Sequence, residues 1–217
     1  MVPGEGGTQV TTWTKDDRIE GAALPTSSNS HMEVLEGDAP WITPPGLLLD
    51  VGCGGGQFLK AASLMGLDCT GMDADPRMVA ASREHSGCEV HHRLVGYSYV
   101  APGPISGGFN YVTAFEVVEH LHDVPDGLRW MLACLATGGW LVGAVPDMGV
   151  TKVSQAPTGP ESVAETAEEI AALNRHVSAF DPEGVRFLLE SVGFVDVETV
   201  ATMKGRKKRV LFRGRRP

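Results

Sequence analysis

Cysteine is scarce in this sequence and badly placed for cross-linking. Cys53, Cys69, Cys88 and Cys134 are scattered, with no C-x-x-C pair and no zinc spacing, so they read as reduced thiols rather than a disulfide frame. Long apolar runs are missing too, and nothing approaches the length of a membrane span. The opening residues lack the charged-then-apolar pattern of a secretory signal, so a cytoplasmic setting is expected. No internal repeat is apparent. Positive charge is in short supply: 18 Lys and Arg stand against 27 Asp and Glu. Eight of those cations lie from Lys204 onward, which leaves the first 203 residues with 10 basic against 27 acidic groups, a balance of −17. A body this acidic does not advertise a nucleic-acid surface. The basic 204–216 segment is the one stretch that would carry such a surface, and a solvated turn and tail is the plainer reading of it.

What is present is a regular alternation. The 217 residues, 42% apolar and 21% charged, suit one soluble globular domain. Residues 1–30, rich in Gly, Thr, Ser and charge, are expected to form a mobile leader, and 31–217 the single domain. Leu47 to Val51 is a short apolar run ending in glycines, as in a strand buried on both faces. Phe58, Leu59, Ala62 and Met65 then recur at helical spacing up to Gly66. Cys69 to Met72 reads as a second strand, and Asp75-Pro76 as a cap-plus-proline helix start. Further strands are expected over 89–95, 111–115 and 140–145, with a helical stripe at Leu128, Met131, Leu132 and Leu135 closed by Gly138-Gly139. Asp181-Pro182 opens a last helix through Val185, Leu188, Leu189 and Val192. Strands at 194–200 and 210–212 close the chain. The pattern predicts an α/β fold with a doubly wound, mostly parallel seven-stranded sheet, its closing pair adding an antiparallel edge. Residues 148–178 break the rhythm, with helix-forming composition over 161–173. They follow the fifth strand at the carboxyl edge, where such sheets bind ligands, and read as a substrate lid or a surface insertion.

The glycine loop Asp50-Val51-Gly52-Cys53-Gly54-Gly55-Gly56 lets backbone pass close to a ligand and leaves a helix N-terminus open to it. Asp73 ends the second strand 19 residues beyond Gly54, the separation at which a carboxylate reaches a ribose diol. Asp75 already serves as helix cap, which frees Asp73 for a ligand. A dinucleotide fingerprint fails, because its third glycine falls on Gln57 or on Leu59. Asp50 would also repel a pyrophosphate, whereas it could face a cationic amino acid.

Leu48 to Gly56 resembles the first motif of class I S-adenosylmethionine-dependent methyltransferases. Gly71-Met72-Asp73-Ala74-Asp75-Pro76 is similar to the end of their second strand, and Phe109 to Val112 running into Phe115-Glu116-Val117-Val118-Glu119-His120-Leu121 to their fourth strand and the loop after it. Leu135 to Leu141 and Leu189 to Phe194 match later segments. The resemblance implies a Rossmann-like methyltransferase fold with S-adenosylmethionine as cofactor. It places Asp50, Gly52, Cys53, Gly54, Gly56, Asp73, Ala74, Phe115 and Glu116 around that cofactor, with Asp73 on the ribose hydroxyls. The family often carries an Asp after the third strand near the adenine. This chain has Val95-Gly96-Tyr97-Ser98 there, and Tyr97 or Ser98 would stand in.

Glu116, Glu119 and His120 share one face if their segment is helical. Together with His176 they could hold a divalent ion such as Mg, Mn, Fe or Zn, acting as a Lewis acid on a substrate hydroxyl. The E-x-x-E-H stretch with a later His resembles two branches, the ubiquinone-biosynthesis O-methyltransferases and the small-RNA 2′-O-methyltransferases. In the RNA branch both Glu and both His bind the ion, which maps onto Glu116, Glu119, His120 and His176. The same groups could instead line the pocket or hydrogen-bond backbone; without an ion His120, His122 or His176 could be a general base, and Glu116, His120 and His176 are the expected catalytic residues. His122 reads as exposed loop, and His91 and His92 as ordinary strand residues. The function expected is O-methylation of a small-molecule hydroxyl by a monomer or homodimer. The alternatives are RNA 2′-O-methylation and a non-catalytic cofactor-binding protein.

Overall fold

The computed structural model describes residues 41–95, 108–153, 176–204 and 207–217. The leader, Tyr97 and Ser98, and the helix expected over 161–173 lie outside them. Strand β1 (Gly46–Val51) is followed by α1 (Gln57–Leu64), β2 (Leu67–Asp73), α2 (Pro76–Ser86) and β3 (Glu89–His92). Then come β4 (Phe109–Phe115), a 3-10 turn at Val118–His120, α3 (Val124–Cys134), β5 (Leu135–Pro146), α4 (Pro182–Ser191), β6 (Val195–Lys204) and β7 (Lys207–Arg215). Three helices begin at an Asp whose side chain accepts from a first-turn N–H: Asp75 from Arg77, Asp123 from Asp126 and Asp181 from Gly184. Each has proline at the first or second helical position, where its missing donor costs nothing.

The seven strands form one sheet in the order β3-β2-β1-β4-β5-β7-β6, with β7 antiparallel to both neighbours. Alternation along β1 sends Leu48 to one face and Leu49 and Val51 to the other. Leu48 joins the core under α1 and α2 with Phe58, Leu59, Ala62 and Val79. Leu49 and Val51 join the core under α3 and α4 with Leu128, Met131, Leu188 and Leu189. Both faces are therefore covered, as a parallel sheet requires.

The closing pair forms the antiparallel edge expected of it: β7 lies between β5 and β6, where the buried Val210, Leu211 and Phe212 are covered on both sides. Exposed Asp196, Glu198 and Val200 leave β6 outermost. Two details differ from the pattern read in the sequence. Strand β5 begins at Leu135, so Gly138-Gly139 lie within it rather than closing a helix. A Cβ on Gly139 would stand 2.8 Å from the Phe109 carbonyl, so the glycine permits a close strand approach. Strand β3 stops at His92, short of Val95. Among the described residues no helix is long and apolar enough to cross a membrane.

Candidate functional site

At the carboxyl end of β1 the chain turns through Gly52, Gly54 and Gly56, with φ of 68°, 53° and 82°. Only glycine takes this region at little cost. A Cβ on Gly52 would meet Val117 Cγ2 at 2.4 Å, whereas one on Gly54 would meet nothing within 4 Å among the described residues. Gly52 is thus pinned by the segment after β4, and no described residue crowds Gly54. Gly56 caps α1 with no side-chain hydrogen bond, which leaves the helix's first N–H groups and its positive dipole end available to a ligand. Gly52→Ala adds both a clash and a strained φ, and we expect about tenfold weaker binding of S-adenosylhomocysteine by calorimetry.

Asp73 lies at the end of β2, where its Oδ2 accepts from Gly54 N–H at 2.9 Å and its Oδ1 from Asp75 N–H at 2.9 Å. The carboxylate expected on a ribose is therefore also the bolt that ties the glycine loop to the second strand. Burial pushes its carboxyl up, opposed by those two N–H groups. The Ala74 carbonyl accepts from His92 Nε2 at 2.9 Å, so His92 braces the same loop from β3, a role its strand setting gave no hint of. Asp50 is buried, accepts from Thr113 Oγ1 at 2.7 Å across the β1–β4 ladder, and is pushed up to about 7 by burial, the Thr113 bond opposing. Cys53 is buried with its thiol 3.5 Å from Ser82 Oγ, and burial pushes that thiol up, away from a reactive thiolate. Phe115 sits under the loop against Phe58, ring centres 5.1 Å apart.

After β4 the expected single helical face does not form. Glu116 takes a φ of 56°, and only Val118–His120 winds as a short 3-10 turn. This rotates Glu116 away from its neighbours, and its Oε1 accepts from Arg209 Nε at 2.9 Å, while Nη2 lies 2.7 Å from the same oxygen as an ion-pair contact without hydrogen-bond geometry. The three groups brought together are Glu119, His120 and His176, whose ligand atoms all lie within 4.8 Å of one another. The two imidazoles meet edge to face with centres 4.9 Å apart. The Glu119 carbonyl accepts from Val177 and Ser178 N–H at 2.9 and 3.1 Å, which ties residues 177 and 178 to the turn. The Glu119 side chain is 1% exposed, and neither carboxylate oxygen has a hydrogen-bond partner among the described residues. Burial first, and the Glu116 charge second, push its carboxyl up to about 8. Arg209 was not singled out in the sequence because it ends a basic run of solvated appearance; the apolar run Val210-Leu211-Phe212 that begins beside it was the available signal.

A family model described as "Methyltransferase domain" matches residues 32–199. Curated relatives named ubiquinone biosynthesis O-methyltransferase include one from Caulobacter sp. (strain K31), 32% identical over 120 residues, covering 54% of this chain and 47% of the relative. Another, from Bordetella avium (strain 197N), is 35% identical over 97 residues, covering 43% of this chain and 40% of the relative. The chain thus spans about half the length of the curated relatives it matches, or less. Among solved structures, the N-methyltransferase NodS from Bradyrhizobium japonicum WM9, in complex with S-adenosylhomocysteine, aligns with a TM-score of 0.61 at 17% identity over 93% of each chain. A 1,6-didemethyltoxoflavin-N1-methyltransferase from Burkholderia thailandensis aligns at 0.61 and 16%, covering 91% of this chain and 79% of that one. At such identities the likeness is one of fold.

Proposed function

The chain belongs to the methyltransferase-domain family, and from that premise we propose that it transfers the methyl group of S-adenosylmethionine to a hydroxyl of a small molecule with the help of a divalent cation. The observation that carries the cation is the Glu119 carboxylate, buried and without a hydrogen-bond partner among the described residues, beside His120 and His176 at the edge where the glycine loop opens. A buried carboxylate with two orphaned oxygens is costly, and a cation is the group that would compensate it. One carboxylate and two imidazoles suit Zn, Fe or Mn as a three-ligand set with open positions. The names of the curated relatives support a hydroxyl acceptor.

In this reading each part of the chain has a defined task. The glycine loop and Asp73 fix the cofactor, and the turn after β4 presents the acceptor side. The reaction is an in-line displacement at the sulfonium methyl, so alignment supplies most of the rate. A bound divalent ion would supply Lewis acidity to the acceptor hydroxyl. His120 and His176 would hold that ion together with Glu119, and the hydroxyl proton would then pass to solvent; with no ion bound, one of the two imidazoles is suited to take that proton itself. With S-adenosylmethionine and a catechol panel, EDTA should abolish turnover and Mn, Fe or Zn should restore it, with metal analysis giving about one ion per chain. Turnover indifferent to EDTA with a blank metal analysis would remove the cation and leave the imidazoles as base.

One observation favours a second reading, transfer to an RNA 2′-hydroxyl. The β6–β7 register sets Lys204 opposite Lys207 and Met203 opposite Lys208, with Arg209 level with Pro146 at the end of β5. The basic hairpin therefore stands at the ligand edge of the sheet rather than trailing from it. RNA binding that falls steeply with salt and disappears in Lys207→Glu/Lys208→Glu would support this reading.

A further inference from the structure

Arg209 links two parts of the site that are far apart in sequence. It stands on β7 opposite Pro146 of β5 and Thr202 of β6, at the carboxyl edge, with only 6% of its surface exposed. Both contacting nitrogens of its guanidinium address one oxygen, Glu116 Oε1, across 93 residues of chain. Glu116 is one of two non-glycine residues with positive φ among those described. A side chain in that region costs about 1 kcal/mol or more and persists where its surroundings hold it. The Glu116 N–H donates to the Ala144 carbonyl at 2.8 Å, and the Arg209 fork holds the other end of the residue.

The turn held in this way does two things. It seats Val117 against Gly52 of the cofactor loop, closely enough that a Cβ on Gly52 would lie 2.4 Å from Val117 Cγ2. It also starts the 3-10 turn that aims Glu119 and His120 at His176. Engaged by Arg209, Glu116 stays out of that group.

We propose that Arg209 is a positioning residue of the site: by clamping Glu116 in the left-handed turn after β4, it sets the seat of Val117 on the cofactor loop. This rests on the reading that the glycine loop holds S-adenosylmethionine. The experiment is calorimetry of the full chain with S-adenosylhomocysteine. Wild type must bind; failure there would sink the cofactor reading and not the clamp. Arg209→Met should raise Kd about tenfold. Arg209→Met/Glu116→Gly should recover to within about threefold of wild type, because glycine adopts positive φ without a clamp and leaves no unpaired carboxylate. An arginine needed only to hold the sheet together would leave the double variant as weak as the single one. Wild-type affinity in Arg209→Met, or no recovery in the double variant, overturns the proposal. If Arg209→Met does not fold, Arg209→Gln, which keeps a buried donor, carries the same pair of comparisons.

Discussion

Asp73→Ala is expected to weaken S-adenosylhomocysteine binding about 100-fold or more, read by calorimetry. Two losses combine in this variant. The carboxylate is a ribose acceptor in the proposed complex, and hydrogen bonds to an ionised group contribute about 1.5–3 kcal/mol each. Its oxygens also accept from Gly54 and Asp75 N–H, so truncation frees the loop that must be in place before the cofactor arrives. The loop then has to be ordered during binding, which reduces affinity further. Asp73→Asn separates the effects: its carbonyl oxygen keeps one N–H partner, and a loss of about tenfold is expected. Binding within about threefold of wild type in Asp73→Ala would show that the anchor lies elsewhere.

Much of the fold was legible because local chemistry and the global pattern agree. Asp75-Pro76 and Asp181-Pro182 open helices as their residue types require. Leu48, Leu49 and Val51 fill two opposite cores because a strand covered on both faces has no polar side. What was not legible depends on partners distant in sequence. Nothing near Val210 tells it to lie between β5 and β6; that follows from the need to bury both faces of 210–212. The site shows the same division. The glycines and Asp73 stand out because backbone conformation and a fixed strand spacing dictate residue type there. Helical spacing grouped Glu116 with Glu119 and His120, but Glu116 takes a positive φ and pairs with Arg209, 93 residues away, while Glu119 and His120 meet His176. Local spacing cannot register a constraint of that range.

Glu119→Met should produce a protein that is more stable at pH 8 and nearly inactive. Native Glu119 is buried, lacks a side-chain hydrogen bond among the described residues, and is pushed up to about 8, against about 4.3 for an unfolded glutamate. Between those values the native state holds a proton that the unfolded chain has released, so stability falls as pH rises. Its contribution is fully present below about pH 4 and is lost by about pH 8 to 9. Asp50, pushed up to about 7 by its own burial, adds a decline that ends earlier. The cation-free protein should therefore melt at a lower temperature at pH 8 than at pH 5.5. Methionine, of similar volume and never charged, removes the Glu119 part of that slope. It should raise Tm at pH 8 by roughly 3–10 °C, corresponding to about 1–3 kcal/mol, with a smaller gain at pH 5.5. The same variant should lose cation binding and about 100-fold or more in kcat, since a ligand of the proposed centre is gone. Stability gained where activity is lost marks a carboxylate retained for chemistry against the interest of the fold. A Glu119→Met protein less stable than wild type at both pH values would instead place this carboxylate among the supports of the turn after β4. The proposed centre would then lose its principal ligand.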